Sequence, residues 1–275
     1  MQSAALQSKV KFSSPPVVET VLSVQFPELP GFRCAHFGLY WDRIKDQFPR
    51  ISDQPRLRPL TRMLPKSPPL PEPSIELRPG GLPERVWYIA ESDTELIQLQ
   101  ADRYLFNWRK GDQQRAYPSY DSNACKFLDE FRGFQTFCSE TGLGEPEPEI
   151  AEVTYINLIE PQHGETAAEL FQKVFVGLRW ESNPPTLPTP EAAVFNRIYA
   201  IEDERGHLSA GASIAYSRET KRELVRLELT ARVLACTGCA MDVSESLQLG
   251  HDWVVGGFVA MTDPEVQEKR WERTN

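Results

Sequence analysis

The order of the predicted secondary-structure elements repeats once along the chain, and this repeat restricts the possible folds more than any single motif. A β-branched run after Pro15 and Pro16 predicts the first strand. Apolar residues spaced three and four apart predict the helix that follows it, which Pro49 ends. Three short strands separated by turn residues come next, and a second helix closes the half. The predicted ranges are 17–26, 35–48, 85–90, 95–101, 103–109 and 119–141.

The second part of the chain contains the same elements in the same order. Its predicted ranges are 149–160, 166–178, 194–202, 207–217, 223–234 and 243–261. We therefore predict an α+β fold built from two internally duplicated β-α-β-β-β-α units, with antiparallel sheets packed by helices. The predicted halves cover residues 15–146 and 147–262. They are flanked by a disordered N-terminus over 1–14 and a polar tail over 263–275.

Prolines interrupt the first half between its first helix and its three strands. Ten of the chain's 23 prolines lie within residues 49–83, called here the proline-rich segment, and each removes a backbone donor and restricts the residue before it. We therefore expect this segment to be an irregular excursion on the surface or across a partner. It is also the most basic stretch of the chain, with Arg56, Arg58 and Arg62 among its cations.

Net charge and cysteine content exclude several classes of protein. The formal charge is −9 at pH 7, so the overall field repels phosphate backbones and nucleic acid is a disfavoured partner. The five cysteines are too few and too scattered for a disulfide framework. No apolar run or N-terminal leader indicates a membrane span or export. These features predict a cytoplasmic protein that does not insert into a membrane.

No motif in the sequence forms a complete active site. Neither glycine pattern of a phosphate-binding loop is present, and four histidines without ligand spacing argue against a metal site. Cys236 and Cys239 form a C-x-x-C pair, for which the alternatives are a redox or metal role and simple packing; we favour packing. We therefore predict no catalytic residue, no metal and no cofactor. An unrecognised enzyme stays the alternative.

The most suggestive constellation is the predicted strand that runs from Arg103 to Lys110. Strand alternation places Tyr104, Phe106 and Trp108 on one face, with cations at both ends. RNA-binding sheets stack bases on such rings, and a β-α-β-β-α-β order would make the first half ferredoxin-like. The other interpretation, which we favour, is that the rings pack against the two helices. The candidate binding residues are Arg103, Trp108, Arg109, Lys110, Arg56, Arg58 and Arg62.

Several short strings together resemble one family. They are PPVVE from Pro15, Leu99-Gln100 with Asp102-Arg103, NWRK from Asn107, Tyr117-Pro118, TYIN from Thr154, and the closing His251, Phe258, Thr262 and Trp271. The family they resemble is a sporadically distributed, uncharacterised prokaryotic family of about this length, and the similarity extends over the whole chain. The family has no established activity. Its patchy distribution is typical of defence, toxin–antitoxin and other mobile accessory genes.

Together these observations favour a non-catalytic binding or regulatory protein, an accessory component of a prokaryotic defence or toxin–antitoxin system. Its expected partner is another protein or a second copy of the chain, contacted through the proline-rich segment and exposed edge strands. The alternative is an RNA-binding or RNA-processing module that uses the strand from Arg103 to Lys110.

Overall fold

A computed structural model of the chain describes residues 10–58, 84–111, 117–177, 190–217, 220–235 and 241–274. Within these ranges the chain forms eleven strands and five α-helices. In chain order they are β1 (Lys11–Phe12), β2 (Val17–Gln25), α1 (Cys34–Ile44), β3 (Arg50–Gln54), β4 (Arg85–Ile89), β5 (Glu95–Gln100), β6 (Arg103–Arg109), α2 (Tyr120–Glu140), β7 (Ile150–Ile159), α3 (Ala167–Val174), β8 (Val194–Ile201), β9 (Gly206–Tyr216), β10 (Glu223–Leu234), α4 (Val243–Met261), α5 (Pro264–Trp271) and β11 (Arg273–Thr274). All twelve elements predicted for the two halves are present.

Nine of the strands form one antiparallel sheet in the order β3-β4-β5-β6-β2-β7-β10-β9-β8. The predicted α+β class, with antiparallel strands packed by helices, is therefore confirmed. From the central pair β2–β7 outward, the order is β6-β5-β4 on one side and β10-β9-β8 on the other. The two sides thus follow the same chain order. Their superposition as duplicated units stays a prediction.

The helices cover one face of the sheet, called here the helix face. Tyr104 of β6 stacks on Phe134 of α2 with 5.3 Å between ring centroids, and its hydroxyl lies 3.0 Å from that of Tyr40 in α1. On the same face, toward the other edge of the sheet, Phe195 of β8 packs against Phe171 of α3. Because side chains alternate along a strand, the residues between these point to the opposite face, called here the polar face.

Side-chain caps define where the two long helices begin. Ser119 accepts a hydrogen bond from the backbone N–H of Ser122 at the start of α2. Asp242 accepts one from the N–H of Glu245 at the start of α4, and Glu245 bonds back to Asp242. Such caps satisfy donors that the first helical turn leaves unpaired. They fix the helix ends at the boundaries that the sequence predicts.

The beginning of the proline-rich segment differs from the expectation, because residues 50–54 form the strand β3. This five-residue strand lies at the edge of the sheet and pairs with β4 over its whole length. An edge strand tolerates prolines at its ends, and Pro49 and Pro55 flank this one. Four strands, β3 to β6, therefore lie between α1 and α2, so the β-α-β-β-α-β order of a ferredoxin-like half is wrong.

Residues 10–14 and 264–274 are ordered, in contrast to the expected disordered N-terminus and polar tail, and residues 1–9 lie outside the described part of the chain. Residues 264–271 form α5, with Asp263 as its cap and Pro264 in its first turn. β1 pairs with β11, and Phe12 packs edge-on against Phe258 at 5.4 Å. Trp271 is buried beside Phe258. A few apolar residues in polar surroundings anchor both ends, and such short pairings have no visible periodicity.

No helix in the described part of the chain combines the length and the apolarity needed to cross a membrane.

Candidate binding site on the polar face of the sheet

The pairing register assigns an excess of positive charge to the polar face. In the described strands this face carries six arginines and three glutamates. The chain as a whole has a formal charge of −9, so this face has the opposite sign to the rest of the molecule. The residues are Arg50, Arg85, Arg103, Arg109, Arg226, Arg232, Glu19, Glu152 and Glu228.

Two of these arginines are buried and are held by neutral oxygen atoms only. Arg85 is 8% exposed; its Nε donates to the carbonyl of Pro55 at 2.9 Å and its Nη1 to Oε1 of Gln98 at 2.6 Å. Arg103 is 3% exposed, and its Nη2 donates to Oε1 of Gln25 at 3.0 Å and to the carbonyl of Arg58 at 2.8 Å. Among the described residues, neither guanidinium has a carboxylate within ion-pair distance.

Burial disfavours the charged form of both groups. It lowers the pKa of Arg85 to about 10, and the nearby charge of Arg103 adds to the effect. Burial also lowers the pKa of Arg103, although Glu152 and Asp102 partly oppose it. Both side chains are still cationic at neutral pH. The face therefore holds two buried positive charges that its own carboxylates do not neutralise directly, which costs folding free energy.

The other arginines of this face have partners that offset their charge, with one exception. Arg232 Nε donates to Oε2 of Glu152 at 2.6 Å, and Arg226 forms an ion pair with Glu228. Arg50 pairs with Asp93 in the turn beside it. Arg109 is the exception: its guanidinium lies 5.7 Å from the ring centroid of Trp87. The uncompensated charge is thus concentrated on β4 and β6.

Polar side chains link these strands in a continuous network. Gln98 accepts from Nε1 of Trp87 at 2.9 Å and donates through Nε2 to Asn107 at 2.8 Å. Asn107 in turn donates to Oε1 of Glu19 at 2.7 Å. Burial raises the pKa of Glu19, although this hydrogen bond and the charge of Arg109 partly oppose it. The network runs from β4 to β2 and restricts the orientation of the side chains that flank it.

Residues 55–58 lie across this face and are held by its side chains. The N–H of Leu57 donates to Oε1 of Gln100 at 3.0 Å, and Nε2 of Gln100 donates back to the carbonyl of Leu57 at 3.3 Å. Arg56 forms ion pairs with Asp102 at 2.7 Å and Glu28 at 2.9 Å. Together with the bonds from Arg85 and Arg103, these contacts hold four residues of irregular backbone without forming a strand.

Three buried polar atoms of the polar face have no hydrogen-bond partner among the described residues. They are Oγ of Ser23, Nε of Arg103 and Nε of Arg109. Native proteins leave few buried polar atoms unpaired, so each such atom calls for an explanation. All three lie on β2 and β6, at the same part of the sheet as the uncompensated arginines.

The structure divides the predicted binding residues between the two faces. Arg103 and Arg109 lie on the polar face. Arg103 donates to the backbone carbonyl of Arg58, and Arg56 pairs with Asp102 beside it. Trp108 lies on the helix face, where it is 4% exposed and packs edge-on against Tyr117 at 5.1 Å. Lys110 follows the end of β6, and its N–H donates to Val18. Arg62 lies outside the described residues.

The expectation that the three rings of β6 face away from solvent, on the side that the helices cover, is confirmed. Tyr104 and Phe106 have no exposed surface, and Trp108 has almost none. Phe127, Phe131 and Phe134 of α2 surround Tyr104. These rings cannot stack on bases, so the stacking platform considered for RNA is wrong.

Sequence reasoning missed several residues of this site. Arg85, Trp87, Gln98 and Gln100 contribute as much to the network as Arg103 does. The signal was present in β5, where Gln98 and Gln100 alternate with Ile97 and Leu99. A strand with glutamines on one side and aliphatic residues on the other is typical of an antiparallel sheet that helices cover on one face only.

A second cluster of polar rings lies on the helix face between the two halves. The hydroxyls of Tyr117 and Tyr155 are 2.6 Å apart, and Tyr155 lies within 3.2 Å of Nδ1 of His251. Tyr120 stacks on the imidazole at 3.9 Å. Burial lowers the pKa of His251 to about 4, so the ring is neutral at pH 7. In the tautomer that is protonated on Nε2, Nδ1 accepts a hydrogen bond from the Tyr155 hydroxyl. The cluster joins α2, β7 and α4.

No cluster of three or more His, Cys, Asp or Glu side chains suited to a metal is found in the ranges given above. Cys34, Cys125 and Cys138 are free thiols, whereas Cys236 and Cys239 lie outside the described residues, so the alternatives for the C-x-x-C pair stay open. Comparison of the chain with protein-family models, with curated proteins and with solved structures found no match.

Proposed function

We propose that this chain is a non-catalytic binding protein that holds a segment of a partner protein on the polar face of its sheet. The observation that carries the proposal is the way in which the face holds residues 55–58. Gln100 pairs with both the N–H and the carbonyl of Leu57, as a neighbouring strand would. Arg85 and Arg103 bind two further backbone carbonyls. Contacts to backbone atoms do not depend on the side chains of the bound segment.

The charge of the face supports an acidic partner. Three of its arginines, Arg85, Arg103 and Arg109, have no ion pair among the described residues, whereas an acidic segment would bring carboxylates to them. A second copy of the chain would present the same positive face, and like charges would repel. The net charge of −9 opposes a long nucleic acid chain. A different, acidic protein therefore fits better than a second copy or RNA.

The biological role that we propose for this binding protein rests on the sequence. The resemblance to a sporadically distributed prokaryotic family favours an accessory component of a defence or toxin–antitoxin system, acting in the cytoplasm. We include this role in the proposal. The proposed role needs no reaction, because a partner segment is held by hydrogen bonds and charge alone.

Fluorescence anisotropy with two labelled probes tests the proposal. The first probe is an unstructured peptide that alternates glutamate and alanine, and the second is a single-stranded RNA with the same number of units. We expect the full-length protein to bind the peptide in preference to the RNA. Arg109→Gln removes a half-buried cation that has no ion pair, so it should weaken peptide binding about tenfold, as expected for a charged hydrogen bond.

The matched control for this experiment is Arg50→Gln. Arg50 lies on the same face, at the edge strand β3, but it pairs with Asp93. Its replacement should leave peptide affinity within about twofold of the original value. Tighter binding of RNA than of peptide, or equal losses in the two variants, would contradict the proposal.

A further inference from the structure

We infer that Arg85 and Arg103 form a binding site for one anionic group, a carboxylate or a phosphate, that the bound partner carries. In the isolated protein the two guanidinium groups donate instead to the backbone carbonyls of Pro55 and Arg58. The inference rests on the proposed function because the partner supplies the group. The site itself is testable with free anions.

The register of three neighbouring strands brings the two guanidinium groups to one place. Arg85 of β4 lies opposite Gln100 of β5, and Gln100 lies opposite Arg103 of β6. The backbones of β4 and β6 are two strand spacings apart, or about 10 Å. Two arginine side chains that extend toward each other can cover this distance. Both groups donate to the same short stretch of backbone, residues 55–58. They therefore converge on one region above Gln100.

The hydrogen bonds of the two side chains leave room for an anionic acceptor. A guanidinium offers five N–H donors and matches an oxyanion through two of them at once. Arg85 donates through Nε and Nη1 to neutral oxygen atoms, and its guanidinium lies 5.7 Å from the ring centroid of Trp87. Among the described residues, Arg103 donates through Nη2 only. Arg103 is only 3% exposed, and its Nε has no hydrogen-bond partner among the described residues.

The nearby carboxylates are engaged elsewhere. Glu152 accepts from Nε of Arg232, and Asp102 pairs with Arg56 and accepts from Gln100. Neither reaches ion-pair distance of Arg85 or Arg103. Counting the described residues, a carboxylate from outside the chain would thus be the first anion in direct contact with these two arginines. Charge-assisted bonds of this kind are roughly twice as strong as those to neutral carbonyls.

Binding of the anion requires displacement of residues 55–58. Their carbonyls and the incoming oxygens compete for the same N–H groups of Arg85 and Arg103. The ion pairs of Arg56 with Glu28 and Asp102 do not involve these two arginines, so they can keep the displaced segment close to the face. The segment therefore acts as an internal ligand that an acidic or phosphorylated partner replaces.

Thermal denaturation of the full-length protein in sodium phosphate, sodium acetate and sodium chloride at equal ionic strength tests the site. A ligand that binds only the folded state raises the Tm as its concentration increases. We expect phosphate, acetate or both to raise the Tm of the unaltered protein above its value in chloride. The same anions should give Arg85→Gln and Arg103→Gln only the smaller gain that general salt effects produce.

Arg226→Gln is the control, because Arg226 lies on the same face but pairs with Glu228. It should keep the full anion response, which separates site binding from general salt effects. A gain with phosphate alone supports a phosphorylated segment, and a gain with acetate supports Asp or Glu side chains. The site is refuted if the unaltered protein gains nothing over chloride, or if Arg85→Gln responds as the unaltered protein does.

The two proposals fail in different ways. If Arg103→Gln does not fold, the response of Arg85→Gln decides the inference by itself. Absence of an anion response, together with peptide binding that depends on Arg109, would remove the anion site and leave the binding function in place. An anion response without any peptide binding would remove the proposed function and leave a site for small anions.

Discussion

Replacing Trp108 with alanine should lower the free energy of unfolding by about 3–5 kcal/mol, the usual cost of removing a large buried aromatic side chain. Trp108 is 4% exposed on the helix face, and it packs on Tyr117 at the end of the cluster that joins the two halves. Urea denaturation followed by circular dichroism measures the loss.

Trp87→Ala is the matched control, because it removes the same side chain from the polar face. Trp87 is only half-buried, between the guanidinium groups of Arg85 and Arg109. Its loss gives up less buried apolar surface, so it should cost clearly less stability than Trp108→Ala. An equal or larger loss for Trp87→Ala would contradict the assignment of the two faces.

Replacing Glu152 with alanine should cost about 3 kcal/mol, the lower end of the cost of removing one partner of a buried ion pair, because Arg232 is partly exposed. Glu152 lies in the middle of the polar face, and its partner Arg232 is bound at 2.6 Å. It is also the carboxylate that most opposes the loss of charge of Arg103. Without Glu152, the buried Arg103 and the half-buried Arg232 would lose the carboxylate that offsets their charges. The unfolding free energy at neutral pH measures the loss.

A double-mutant cycle with Arg232→Ala isolates this ion pair. Because the two side chains contact each other, the double variant should be more stable than the sum of the single losses predicts, by about 1–3 kcal/mol. If Glu152→Ala costs less than about 1 kcal/mol, or if the two losses add without coupling, the balance of charge described for the polar face is wrong.

Long, strongly patterned elements could be predicted from the sequence. The helix over 243–261 and the strand over 223–234 agree with the structure to the residue, since each is long and bounded by clear turn or capping residues. The strand β3 and the helix α5 were missed. Both are short, and prolines beside them are as compatible with loops as with an edge strand or a first helical turn.

The site could be predicted only in part, because it depends on which strands are neighbours. The cationic ends of β6 indicated Arg103 and Arg109, and the basic start of the proline-rich segment indicated Arg56 and Arg58. Local alternation places residues on one of two faces, but it does not show which face the helices cover. The pairing of β2 with β7, which brings Ser23 beside Glu152, joins residues about 130 positions apart and leaves no local signal.

Arg85 contributes to binding of the partner and does not stabilise the fold, and the unfolding free energy of Arg85→Met tests this claim most directly. The pKa of Arg85 is lowered to about 10, so at neutral pH the folded protein carries the full cost of a buried charge, which deprotonation would relieve only above about pH 10. Methionine keeps much of the buried apolar contact and removes the charge. Measured in chloride buffer at pH 7, the variant should be as stable as the unaltered protein or more stable by about 1–4 kcal/mol. A loss of about 2 kcal/mol or more would show that Arg85 holds the sheet together, and would contradict the account.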